Sequence, residues 1–270
     1  MSAVEATKAA RRPLELFDLS GRSFLVTGAT GAFGQAAAEA LVAAGARVAL
    51  AAGTRDKLEE LGKRLSEQGE VELCPRRPEQ PEDAEAMVEA AVSSFGELHG
   101  AVIAHGLNRV APIEEMDPGD WQAVMDANVR GSWLVCRAAG RHLLDQGEGG
   151  KVVLVSSTRG KLGHPAGYSA YCTSKAAVDG LTRTLACEWG AHGITVNAIA
   201  PTVFRSDLTE WMYAEEGKGR ETREAMLARI PLGRLGEPED FVGTLVYFLS
   251  DAARFATGQV LYVDGGYTAG

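Results

Sequence analysis

Short apolar runs alternate with longer amphipathic stretches from one end of the chain to the other. The runs cover 23–27, 47–51, 71–74, 101–104, 151–156, 195–199 and 259–263. The stretches between them include 35–44, 56–68, 83–95, 121–146, 170–192 and 237–249. Strands this short and uniformly apolar belong in a sheet buried on both faces, since a strand wetted on one side alternates apolar with polar residues. Neighbours in such a sheet are parallel and need crossovers, which the amphipathic stretches supply as right-handed helical connections. The pattern predicts an α/β fold: a single-domain doubly wound parallel sheet with helices on both faces, binding ligands beyond the carboxyl ends of its strands. Pro118 and Pro238 mark two helix starts, and Gly45 and Gly69 read as helix stops.

No Pro/Gly-rich linker, charge block or internal repeat divides the 270 residues. Residues 1–15 read as a flexible tail and 16–270 as one domain. The polar segment 206–229 breaks the alternation yet carries Trp211-Met212-Tyr213, the make-up of a lid over a substrate site. No apolar run approaches the ~18 residues of a membrane-spanning helix. A net charge of −9, with 27 basic residues scattered along the chain, speaks against nucleic acid as a partner. Four cysteines without a C-x-x-C pair read as reduced thiols of a cytoplasmic protein, with no metal site.

The first strand runs into Thr27-Gly28-Ala29-Thr30-Gly31-Ala32-Phe33-Gly34 and then into a helix. Small residues there let backbone N–H groups approach a pyrophosphate, and a helix N-terminus adds partial positive charge. A plain tight turn uses glycine too, so the loop alone does not decide. A site for NAD usually places a carboxylate about 20 residues on, for the ribose 2′-hydroxyl. Here that stretch reads Ala51-Ala52-Gly53-Thr54-Arg55, with no acid. Without the carboxylate a 2′-phosphate meets no repulsion, and Arg55 either attracts it or merely opens the next helix. The balance favours NADP, with NAD as the alternative.

Tyr171-Cys172-Thr173-Ser174-Lys175 opens a helix, so Tyr171 and Lys175 share one face. Of the six tyrosines only Tyr171 has lysine at this spacing. An ammonium beside a phenol favours phenolate and lowers its pKa, preparing it to take or return a proton. Ser156 and Ser157 end a strand at the ligand-binding edge, where a hydroxyl either holds a substrate oxygen or caps a turn. Strand-end serine, glycine loop and Tyr-x-x-x-Lys together favour the first.

These motifs, with Asn128-Val129-Arg130-Gly131, Asn197-Ala198-Ile199-Ala200-Pro201, the run from Arg234 to Asp240 and Val263-Asp264-Gly265-Gly266, resemble the short-chain dehydrogenase/reductase superfamily from about Leu16 to Tyr267. The resemblance implies a Rossmann-fold oxidoreductase that interconverts a secondary alcohol and a ketone by direct hydride transfer. Tyr171 would be the general acid/base, Lys175 would tune it and hold the nicotinamide ribose, Ser157 would orient the substrate oxygen and Asn128 would position a water. Gly28, Thr30, Gly31, Ala32, Phe33, Gly34, Ala104, Pro201, Val203 and Ser206 would contact the cofactor with Arg55, Tyr171 and Lys175. A small-molecule substrate (sugar acid, polyol or oxoacyl thioester) and a homotetramer are the implied partners. His164 and Trp211 are substrate candidates, against a solvated loop histidine and an aromatic packed on a neighbouring subunit. Arg109 and Arg159 either meet a substrate carboxylate or form surface salt bridges.

Several positions depart from the family pattern. Ala32 replaces a glycine, Phe33 a smaller aliphatic residue, and Arg77 falls near the acid that usually meets the adenine amine. Ile103-Ala104-His105-Gly106 replaces Asn-Asn-Ala-Gly, and His105 reads as packed or solvent-facing rather than as a cofactor contact. Thr202 stands where glycine is common, and Tyr171 follows Ser157 by fourteen positions, one more than usual. These departures motivate an alternative from another class, a cofactor-poor regulatory or binding protein on the same fold.

Overall fold

The computed structural model describes residues 12–206 and 209–270. Residues 1–11 of the expected tail, and Asp207 and Leu208 of the expected lid, lie outside the described residues. Pro13–Phe17 forms a 3-10 turn with proline at its start. Seven strands build one sheet: β1 (Ser23–Thr27), β2 (Arg47–Ala51), β3 (Val71–Cys74), β4 (Gly100–Ile103), β5 (Gly150–Val155), β6 (Ile194–Pro201) and β7 (Val260–Val263). Their spatial order is β3-β2-β1-β4-β5-β6-β7, and every neighbouring pair is parallel.

Side-chain alternation splits the core into two layers. Phe24, Val26, Val48, Leu50, Val153 and Val155 face α1 (Ala32–Ala43), α2 (Arg55–Ser66) and α8 (Pro238–Leu249). Leu25, Ala49, Ala101, Ile103, Val152 and Leu154 face α3 (Pro81–Phe95), α5 (Gly131–Gln146) and α6 (Ser169–Trp189). Both faces are thus covered, as the uniformly apolar strands require. The helix starts are chemically marked. Pro81 and Pro238 each occupy the first turn, and the Asp83 and Asp240 carboxylates accept the backbone N–H of Gln80 and Glu237 at 3.0 and 2.9 Å.

Two expectations need correction. The single helix expected over 121–146 is two, α4 (Pro118–Met125) and α5, joined through a π-helical turn at Asp126–Arg130. Gly45 has the left-handed backbone of a helix stop (φ +76°), whereas α2 ends at Ser66 and Gly69 keeps an ordinary φ. The segment 206–229 holds α7 (Gly217–Leu227), which the polar sequence did not announce. Met212 and Met226 from this segment bury against Ile230, Leu235 and Tyr267 in a third, smaller cluster. Among the described residues no helix is long and apolar enough to cross a membrane.

Candidate active site

The glycine loop leaves β1 and enters α1. Gly28 has φ +64°, and a Cβ there would lie 2.5 Å from the His105 backbone nitrogen. A Cβ on Gly34 would collide with the Gly28 carbonyl and come within 2.9 Å of the Ala29 Cα. Both positions therefore need glycine. Gly31 is the N-cap of α1 and offers no side chain to the first-turn N–H groups, which leaves them open to an anion. Ala32 is the first helical residue, and Thr30 is half-buried beside it. The Phe33 ring turns into the core, 5.1 Å from the rings of Phe204 and Phe241, so only its backbone can face a ligand. The cradle fits a dinucleotide pyrophosphate, and the methyl of Ala32 leaves its two indispensable glycines in place.

Two strands farther along, the carboxyl ends of β4 and β5 carry the polar groups. Asn128 sits in the π-helical turn, a kind of irregularity that recurs at functional sites. Its Oδ1 accepts the Leu107 N–H at 2.6 Å, and its Nδ2 donates to the Leu107 carbonyl and the Ser174 hydroxyl, both at 2.9 Å. Lys175 is buried and donates from Nζ to the Val155 carbonyl at 2.8 Å. Its Nζ stands 5.7 Å from the centre of the Tyr171 ring. Burial pushes Lys175 down to about 8, opposed by the Asp179 carboxylate. Ser157 caps the short turn after β5, accepting the Arg159 N–H at 3.1 Å, and its hydroxyl is near enough to the Tyr171 phenol to favour the phenolate. Turn-capping and reaching the tyrosine are thus one arrangement. Ser156 instead donates to Asp179 and ties β5 to α6.

The phenol itself departs from expectation. Burial pushes Tyr171 up to about 12, and the Ser157 hydroxyl is the largest influence in the other direction. The expected lowering by Lys175 is not met, because removing the phenol from water dominates.

The remaining residues divide. Ala104 is half-buried just past β4, donating its N–H to the Thr27 carbonyl at 3.2 Å, and Pro201 ends β6. Val203 accepts the Gly236 N–H at 3.1 Å, and Ser206 pairs hydroxyls with Thr209 at 3.1 Å. A cavity of about 150 Å³ lies beside them, lined by Thr202, Phe204, Leu235, Gly236, Val263 and Asp264. Arg55 runs along α2 toward Glu59 at 3.5 Å. His105 is packed: Nδ1 pairs with the Thr27 hydroxyl at 2.7 Å, and Nε2 is buried without a partner among the described residues. Burial, aided by the Lys175 charge, pushes this ring down to about 4.

On the substrate side, His164 is half-buried. Its ring lies 4.5 Å from Tyr168, which meets Tyr171 edge-on at 6.2 Å. Trp211 is half-exposed. Arg109 pairs on the surface with Asp120 at 3.4 Å. Arg159 is buried and has no carboxylate partner among the described residues, donating instead to the Gly163 carbonyl at 3.0 Å and the Tyr267 hydroxyl at 3.1 Å. Arg229 stacks on the same ring at 4.3 Å. Tyr168, Arg229 and Tyr267 were not singled out from sequence, since no local motif marks them.

A seven-stranded parallel sheet in this order, with a glycine cradle and a Ser–Tyr–Lys–Asn group at the strand ends, invites comparison with known proteins. The family model described as "Enoyl-(Acyl carrier protein) reductase" matches residues 28–268. The chain belongs to the short-chain dehydrogenase/reductase family. Among members of this family, an uncharacterised oxidoreductase of Mycobacterium tuberculosis is 61% identical over 257 residues, covering 95% of this chain and 94% of the relative. Gluconate 5-dehydrogenase of Gluconobacter oxydans is 34% identical over 255 residues, covering 94% and 97%. The structure of a gluconate 5-dehydrogenase from Burkholderia cenocepacia, in complex with NADP and tartrate, superposes with a TM-score of 0.87 at 27% identity, covering 96% and 100%. A short-chain dehydrogenase/reductase of this kind is an oxidoreductase working with a nicotinamide cofactor.

Proposed function

We propose that the chain interconverts a secondary alcohol and a ketone, with NADP favoured over NAD, and that Tyr171 is its acid/base. The observation that carries this reading is the joining of Tyr171, Ser157 and Lys175 on one ledge, with Asn128 bracing the same helix through Ser174. A bound nicotinamide supplies the acceptor or donor of hydride. Gly28, Thr30, Gly31, Ala32 and Gly34 would hold the pyrophosphate; Ala104, Pro201, Val203 and Ser206 would border the remainder. Ser157 holds the substrate oxygen within reach of the phenol. In reduction the Tyr171 phenol, protonated at neutral pH, gives its proton to that oxygen, and in oxidation it is the phenolate that accepts one. The Lys175 ammonium stabilises the phenolate left behind.

A sugar acid is the substrate class we favour. Buried guanidinium groups normally meet a carboxylate, and Arg159 meets none among the described residues, close to Tyr171 and bonded to the Tyr267 ring on which Arg229 stacks. The segment 206–229 would close over the substrate, with His164 and Trp211 at its edge. Two of the chain's relatives, gluconate 5-dehydrogenases, are named for a substrate of this class, which supports the reading. We further propose a homotetramer, supported by the exposed apolar residues Trp133, Phe255 and Leu261, and a cytoplasmic setting, supported by four free cysteines.

Tyr171→Phe tests the central role. Turnover of the best alcohol or ketone should collapse while NADPH affinity, read by fluorescence, stays within about twofold, because ring packing survives. Undiminished turnover would refute the assignment.

A further inference from the structure

The residues past β2 and β3 hold an exchange of side chains that the glycine-loop argument does not use. Gly53 lies two residues beyond β2, at the corner where the ribose 2′ position of a dinucleotide comes to rest in folds of this kind. It has no side chain to offer. Arg77, three residues beyond β3, crosses to that corner from the neighbouring strand. A Cβ on Gly53 would lie 2.5 Å from the Arg77 Cγ and 2.7 Å from its Cδ, so the arginine stem occupies the space that a side chain at 53 would fill. The corner adjoins the glycine loop, since the Ala29 N–H donates to the Ala51 carbonyl at 3.1 Å.

Charge partners sharpen the picture. Arg76 is tied to Asp83 at 3.0 Å and Arg55 approaches Glu59 at 3.5 Å, both as ordinary surface pairs. The Arg77 side chain has neither a hydrogen-bond nor a carboxylate partner among the described residues, and it is exposed. A guanidinium that rests on bare backbone at the ribose corner, with its donors free, is set to accept a phosphate in a bidentate contact.

We infer that Arg77, reaching over Gly53, is the residue that binds the 2′-phosphate of NADP, in place of Arg55. The inference rests on the nicotinamide-dinucleotide reading above and names the determinant of its cofactor choice. Gly53 is part of the device, because any side chain there would displace the guanidinium.

The test compares wild type with Arg77→Ala, Gly53→Ala and Arg55→Ala. NADPH and NADH are titrated by fluorescence, and 2′,5′-ADP and 5′-AMP by calorimetry, which reads the corner without the reacting end. Wild type should prefer NADPH and 2′,5′-ADP. Arg77→Ala should weaken both about tenfold to a hundredfold, the range of a charged hydrogen bond, and leave NADH and 5′-AMP unchanged. Gly53→Ala keeps the charge but moves it, and should cost NADPH selectively. Arg55→Ala should change nothing beyond about twofold. Equal losses for both cofactors in Arg77→Ala, or a selective loss in Arg55→Ala alone, would overturn the assignment. A wild-type preference for NADH would overturn it while leaving the oxidoreductase reading standing. Wild-type protein that is folded by circular dichroism yet binds none of the four ligands would bring down both.

Discussion

The π-helical turn, the end of β5 and the start of α6 keep the family's residue types, whereas the ends of β1, β2, β3 and β4 do not. At the first, Asn128, Ser157, Tyr171 and Lys175 stand at the matching positions and make short contacts with backbone or with each other. At the second, Ala32, Gly53, Arg77 and His105 all differ, yet the glycine cradle keeps its shape and the corner beside it carries an exposed cation that pairs with no carboxylate among the described residues. The difference follows from what each place must do. Moving a proton needs one atom at one distance and pKa, so the side chain cannot be supplied from elsewhere. Binding a phosphate needs only charge and room, which a neighbouring strand can provide. Departures at the cofactor end therefore do not by themselves argue for the cofactor-poor regulatory reading.

The largest effect expected on either side is that of Tyr171→Phe. Loss of a positioned acid/base should lower turnover by about 10²–10⁴-fold with little change in stability. Next comes Gly34→Ala at the cofactor end. Its methyl would meet the Gly28 carbonyl and Ala29 Cα, backbone that cannot swing aside. Stability should fall by about 1–3 kcal/mol in denaturant titration, and NADPH binding should fall with it. Tolerance of Gly34→Ala with full NADPH affinity would show that the cradle is not what holds the pyrophosphate.

Much of the architecture was legible in the sequence because uniformly apolar runs have few other uses. Three strands fall where the pattern placed them, and the others shift by one or two residues. The π-helical turn was hidden, since Asp126–Arg130 contains neither glycine nor proline and its period differs from α by a single residue. Helix α7 was hidden because it buries only Gly219 and Met226, too little for an apolar stripe. The Tyr171–Lys175 pair was readable from spacing, but its electrostatics were not. Whether burial or a neighbouring charge wins depends on depth, which no local pattern encodes. The Arg77–Gly53 exchange was half visible: the missing acid and the reversed charge both stood out, but only the fold shows them to be one feature.

His105 offers a third contrast between the two ends, through pH. Its folded pKa of about 4 lies below the ordinary 6.5, because the ring is buried. As pH falls below 6.5 the unfolded chain takes up a proton that the folded chain refuses. The stability contributed by neutral His105 is therefore present above 6.5 and lost progressively toward 4. The full loss is about 3 kcal/mol. His105→Ala should cost stability at pH 7 but flatten the decline between pH 6.5 and 4 in urea titrations. An unchanged slope would mean that the ring is solvated and that its bond to Thr27 does not hold it inside.

The smallest effect separates two arginines that the sequence left equivalent. Arg109 lies at the surface, half-exposed and 3.4 Å from an equally exposed Asp120. Such pairs contribute about 0–1 kcal/mol, since water screens the charges and ordering two long side chains offsets the attraction. Arg109→Ala should leave thermal stability nearly unchanged, along with the KM for any sugar acid the protein turns over. Arg159 differs in having its guanidinium buried, donating to a carbonyl and a phenol and facing no carboxylate among the described residues. Arg159→Lys keeps the charge but loses the fork, so KM for a carboxylate substrate should rise more than kcat falls, while a neutral polyol is unaffected. If Arg109→Ala raises that KM and Arg159→Lys does not, the substrate carboxylate lies at the outer rim of the site, away from Tyr267.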